Sequence, residues 1–224
     1  MEKKKLTDYN NQDQLRFDGE DSEIENTLKK AVYATNTAVF KKAQKNKDLS
    51  GMGTTIIAAL VLHGALYITH VGDSRLYFVN DDGITQATRD HSYVQTLIDL
   101  GQITPEEASS NPHKNIITRA IGTQKKVEPD IIFQNLEQTD TKYLLLCSDG
   151  LTNYVDNSTI HSIIKESTSL EECCNALIDK ANENGGGDNV KAVVISLDKE
   201  TEDPKDAEVT DTTEETTSSD VTED

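Results

Sequence analysis

The chain has 224 residues, 35% of them hydrophobic and none a tryptophan, and a formal charge of −18. That length supports one domain with a sizeable core. The acidic balance argues against a nucleic-acid partner, because phosphate backbones demand clustered Lys and Arg.

Residues 1–21 form a polar N-terminal segment without apolar periodicity. Ser22 and Glu25 make a capping box, and Leu28, Val32, Thr35 and Val39 then recur at helical spacing, which predicts a helix over about 22–45. "SGMGTT" (50–55) breaks it. The following apolar run, "TTIIAALVLHGALYITHVG", is interrupted by His63-Gly64 and again by Thr69 and His70. It reads as two buried strands joined by a tight turn rather than as a membrane span. After "GDSR", the stretch "LYFVNDDGITQAT" reads as strand, turn and strand. "DHSYVQTLIDLG" is a short helix ended by Gly101, and "TPEEA" starts another with Thr104 as cap and Pro105 at its first position. "NPHKNIITRAIG" is irregular. Strands are expected at 129–136 and 142–148, helices at 157–166 and 169–183, and a last strand in "VKAVVISL".

Residues 199–224 hold 11 Asp/Glu against 2 Lys, a net −9 that leaves −9 for the rest of the chain. So few apolar groups cannot offset the entropy of ordering, so this acidic tail is expected to be disordered. Cys147, Cys173 and Cys174 make neither a disulfide framework nor a metal knuckle, and suit a reducing cytoplasm. With no apolar leader or span, the expectation is a soluble cytoplasmic monomer. Strands come as neighbours joined by short turns while helices are grouped apart, which favours an α+β fold of antiparallel sheets with helices on their faces.

Two acidic sites share one design. In "LLLCSDGL" an apolar strand delivers Asp149 at its end, with Gly150 next; in "GGGDNVKAVVI" a glycine turn delivers Asp188 at the start of a strand. A carboxylate on a rigid strand end, flanked by glycine so that ions and water can approach, suits a hard cation such as Mg²⁺ or Mn²⁺. Taken singly, each is an ordinary turn element. In "GDSRLY", Asp73 reads as a strand-end acceptor with Arg75 as its partner.

Taken together and in order, "SGMGTT", "HVGDSRLY", "TRDHSYV", "NPHKNIITRAIG", "LLLCSDGL" and "GGGDNV" resemble the motifs of the bacterial PPM family, the metal-dependent type 2C protein serine/threonine phosphatases. The resemblance covers about residues 23–197 and implies a four-layer α-β-β-α sandwich, with a phosphatase-like domain over 22–198. It implies a signalling hydrolase that cleaves phosphoserine and phosphothreonine with a metal-activated water. Two Mn²⁺ or Mg²⁺ ions would be held by Asp149 and Asp188, and a third by Asp90 with Asp149. Asn153 would serve as a further polar ligand or water partner, with Asn189 orienting the Asp188 loop and Gly150 in support. Residues 90–123 match the family's flap. The implied partners are phosphorylated proteins, substrates of a cognate serine/threonine kinase.

The family's N-terminal motifs, one carrying a phosphate-binding Arg and one a bridging Asp before Gly-Met-Gly-Gly-His, have no match. "RFDGEDSE" contains an Asp18-Gly19 pair without the preceding apolar strand, and "GMGTT" is a different motif. The expectation is therefore a truncated phosphatase with little turnover and with exposed sheet edges. The alternative is a catalytically dead phosphatase-like scaffold that binds a kinase or a phosphoprotein.

Overall fold

The computed structural model describes residues 20–197; the segment 1–19 and the acidic tail lie outside the described residues. Helix α1 runs Glu20–Lys45. It begins ahead of Ser22, so Ser22 stands inside the first turn and not at a cap. Strands β1 (Ile56–Leu62) and β2 (Ala65–Val71) form the expected hairpin around His63-Gly64. They are followed by β3 (Arg75–Val79) and β4 (Ile84–Gln86), then by helices α2 (Tyr93–Asp99) and α3 (Pro105–Ser109). Thr104 and Glu107 close the capping box of α3 with Pro105 in its first turn, as the sequence predicts. Strands β5 (Asp130–Asn135) and β6 (Tyr143–Cys147) come next. They lead to a short helix α4 (Asp149–Thr152), helices α5 (Asn157–Glu166) and α6 (Leu170–Glu183), and strand β7 (Ala192–Ser196).

The strands make two sheets, β1-β2-β5 and β4-β3-β6-β7, antiparallel throughout. Side-chain alternation along β3 and β6 explains the layering. Leu76, Phe78 and Leu144 face the other sheet and pack with Leu66 and Ile68 of β2, while Tyr77, Leu145 and Cys147 turn outward onto Leu151, Ile160 and Leu177 of the helices. On the far side, Val32 and Val39 of α1 cover Val71 and Ile56. The order is thus helix, sheet, sheet, helices: the α+β sandwich expected from the sequence.

Cys147 and Cys173 are buried and Cys174 half-buried, all as free thiols. Burial pushes the Cys147 thiol up to about 12, which suits a core residue and not a nucleophile. Among the described residues β1 and β7 are edge strands, and Leu60, Val61, Leu62 and Val193 on them are exposed. No described helix is long and apolar enough to cross a membrane.

Candidate functional site

At one end of the sandwich, three chain segments bring carboxylates together. Asp73 stands in the turn between β2 and β3. Asp149 opens α4 where β6 leaves the sheet, and Asp188 precedes β7. A cleft of about 400 Å³ is lined by Asp73, Asp90, Asp149 and Asn153 on the sheet side, and by Gln95, Ile98, Ala108 and Lys114 of residues 90–123 on the other. The flap implied by the sequence therefore borders the acidic end.

Two of these carboxylates are raised in pKa despite the nearby Arg75. Burial, then the charge of Asp149, lifts Asp73 to about 6. Burial, then the charge of Asp188, raises Asp149 as well. Like charges gathered without a cation are costly and mark a place where a cation is favoured. Asp188 is exposed and does not line the cleft, but its charge reaches Asp149.

The Asp188 loop is fastened to Ser148, the residue that precedes α4, by the Ser148 hydroxyl and backbone. Ser148 Oγ donates to Asn189 O (3.1 Å), Ser148 N donates to Lys191 O (3.1 Å), and Lys191 N donates to Ser148 Oγ (3.1 Å). Asn189 N donates to Asp188 Oδ1 at 2.6 Å. Asn189 thus orients its neighbour through its main chain. Gly150 is buried, and a Cβ there would stand 2.3 Å from Asn189 O. Its contribution is close backbone approach, not the open access for ions that the sequence suggests. Asn153 Nδ2 donates to Asp149 Oδ2 at 3.2 Å, so this side chain steadies the carboxylate from the C-terminal cap of α4.

The pairing of Arg75 departs from expectation. Its Nε lies 3.0 Å from both oxygens of Asp90 and its Nη2 2.7 Å from Oδ2, while Gln86 Nε2 donates to Asp90 Oδ1 at 2.8 Å. Asp90 is therefore saturated by donors, and Arg75 is not the partner of Asp73. The carboxylate left free beside Asp149 is Asp73. Sequence reasoning passed over it because Arg75 sits two residues away. The signal was present nonetheless: "HVGDSR" repeats the pattern of an apolar strand, a glycine and an aspartate seen around Asp149 and Asp188. His70, His91 and Asp130 bring three metal-ligating atoms within 4.8 Å of one another, which the cleft aspartates do not.

Two antiparallel sheets face to face with helices outside define an α+β sandwich, here with carboxylates gathered at one end. The profile of the protein phosphatase 2C family matches residues 4–183, a span that takes in most of the polar segment before α1. The chain belongs to the protein phosphatase 2C family. It is 42% identical to the serine/threonine phosphatase stp of Listeria welshimeri over 173 residues, covering 77% of this chain and 68% of that one. It is also 42% identical to the serine/threonine protein phosphatase PstP of Mycobacterium tuberculosis over 170 residues, 76% of this chain and 32% of that one. Among solved structures it resembles serine/threonine phosphatase Stp1 from Staphylococcus aureus, with TM-score 0.77 and 38% identity over 82% of this chain and 72% of that one. A structure of the PstP catalytic domain in complex with 2 manganese ions aligns with TM-score 0.66 and 39% identity, over 75% and 68% of the two chains.

Proposed function

We propose that the chain is a Mn²⁺- or Mg²⁺-dependent protein serine/threonine phosphatase domain acting on phosphorylated proteins made by a cognate kinase. One observation carries this reading: Asp73 and Asp149 line a cleft as hard oxygen donors whose pKa values are raised by burial and by neighbouring carboxylates, with Asp188 near enough to act on Asp149. All-oxygen donors of this kind fit Mn²⁺ or Mg²⁺ better than softer metals. Asp73, Asp149 and Asp188 would hold the cations.

When bound, such a cation supplies Lewis-acid charge for phosphoryl oxygens and lowers the pKa of its water. The protein's own residues do the rest. Asn153 fixes the Asp149 carboxylate, and the Ser148–Asn189–Lys191 contacts hold the Asp188 loop against α4. Helices α2 and α3 wall the cleft against water, and Lys114 places a positive charge on its lining for the substrate's phosphate.

A second reading, a catalytically dead phosphatase-like scaffold that binds a kinase or a phosphoprotein, is favoured over turnover by the commitment of Arg75 to Asp90. The arginine lining the cleft is thereby denied to a substrate phosphate. Weak turnover is the expectation of the first reading, and none that of the second. The deciding experiment is hydrolysis of p-nitrophenyl phosphate and of a phosphothreonine peptide in Mn²⁺, comparing the chain with Asp149→Asn and Asp188→Ala. Turnover abolished by either substitution supports the enzyme. No turnover with retained, Asp149-independent binding of the phosphopeptide supports the scaffold.

A further inference from the structure

We propose that His91 is a positioning residue for the cation site: its imidazole braces the turn that carries Asp73, and Asp130 and Arg119 orient that imidazole from behind. The inference rests on the cation-site reading above.

The contacts are specific. Gly72 N donates to His91 Nδ1 at 3.0 Å, and His91 N donates to Gly72 O at 2.9 Å. Gly72 precedes Asp73 and His91 follows Asp90, so one residue ties together the two turns that present these aspartates. Thr118 N donates to His91 O (2.8 Å), which ties the end of the flap to the same residue. Because Nδ1 accepts the Gly72 N–H, the proton of the neutral ring belongs on Nε2. Nε2 lies 3.2 Å from Asp130 Oδ2, close enough for charge attraction although the pair is not aligned as a hydrogen bond. Asp130 is held in turn by Arg119, whose Nη1 donates to Oδ1 at 2.6 Å and to Glu128 O at 2.9 Å. His70 stacks on His91 with ring centroids 4.6 Å apart and planes 14° from parallel, closing the ring from solvent. The side chains of His70 and His91 are 1% and 6% exposed.

The same tautomer argues against a metal bound within the His70–His91–Asp130 group itself. With Nδ1 occupied by the Gly72 N–H and Nε2 protonated toward Asp130, His91 has no lone pair to offer. The group resembles the outer support of a metal site, in which an ordered imidazole and carboxylate fix the backbone that bears a ligand.

The test is Mn²⁺ calorimetry on the full chain and three variants, with thermal melts in chelator to register folding. His91→Leu should weaken Mn²⁺ affinity about ten- to hundredfold, the range for loss of an outer-shell partner. His91→Asn, whose Oδ1 can take the place of Nδ1, should restore most of it. Asp130→Ala, at a position 41% exposed, should weaken affinity by about tenfold and decides the matter if His91→Leu does not fold. A folded His91→Leu with wild-type affinity overturns the proposal, as does His91→Asn failing as badly as His91→Leu, or wild-type affinity in Asp130→Ala. If the wild-type chain binds no Mn²⁺, the cation-site reading falls and takes this proposal with it. Binding lost in Asp149→Asn but untouched at His91 and Asp130 overturns the proposal alone.

Discussion

Arg75 grips Asp90 with three N–H contacts, Nε to each carboxylate oxygen at 3.0 Å and Nη2 to Oδ2 at 2.7 Å, on a pair whose side chains are 29% and 10% exposed. Such a charge-assisted fork fixes geometry as well as charge. Removing the Asp90 charge leaves Arg75 partly buried with the Tyr77 hydroxyl, 3.1 Å from Nη1, but no anion as its partner. Asp90→Asn should therefore destabilise the metal-free chain by roughly 2–3 kcal/mol. It should weaken Mn²⁺ binding much less than Asp149→Asn does. Urea unfolding and calorimetry on the two variants check this; equal losses of affinity would make Asp90 a ligand after all.

Asp73 should behave oppositely. Its folded-state pKa of about 6 lies above the ordinary carboxylate value, so above pH 6 its ionised form costs the folded state free energy. Asp73→Asn should stabilise the chelated chain at pH 7 by roughly 1–2 kcal/mol, screening included. The same change should weaken Mn²⁺ binding. Melts with and without Mn²⁺ would show the two effects crossing, and a destabilised chelated variant would contradict the electrostatic argument.

His70 gives a pH dependence of definite sign. Burial, then the His91 ring stacked against it, lowers it to about 4 from an ordinary value near 6.5. Between those values the unfolded chain binds a proton that the folded chain excludes. The stability held by neutral His70 is therefore full above pH 6.5 and is lost as pH falls toward 4, about 3 kcal/mol at most. Stability measured by urea at pH 7 and pH 4.5 should fall less in His70→Gln than in the wild type. An unchanged slope would sink the assignment.

Gly150→Ala tests the coupling of α4 to the Asp188 loop. The added methyl would meet Asn189 O at 2.3 Å, backbone against side chain, so the loop must move. Overpacking of this kind costs about 1–3 kcal/mol. Because the moving segment carries Asp188, Mn²⁺ affinity should fall with stability. A variant that loses stability but keeps its affinity would show that Asp188 is dispensable to the site.

Much of the architecture was legible from local chemistry. Continuous apolar runs announce β3 and β6, His63-Gly64 announces the hairpin, and Thr104 with Pro105 and Glu107 announces α3; each of these depends on neighbours a few residues apart. The order of motifs around Asp73, Asp90, Asp149 and Asp188 likewise pointed to the family before any contact was known. The short helix α4 escaped because "SDGLT" carries no helical period, and its first turn is set by Asn189 and Lys191 packing on Ser148 and Gly150.

Which charges meet was decided by tertiary structure alone. Sequence proximity offers Asp73 to Arg75, two residues away, yet Arg75 bonds Asp90 across fifteen residues because β4 folds back along β3 and brings the following turn alongside it. His70, His91 and Asp130 are spread over sixty positions and converge for a comparable reason: antiparallel pairing of β2 with β5 sets His70 opposite Asp130, and the Gly72–His91 bonds bring the His91 ring over that of His70. Apolar periodicity selects the faces that strands bury, because burial depends on each residue's own side chain. The partner of a charge depends on which distant strand lies beside it, and that is set by the register of the sheets.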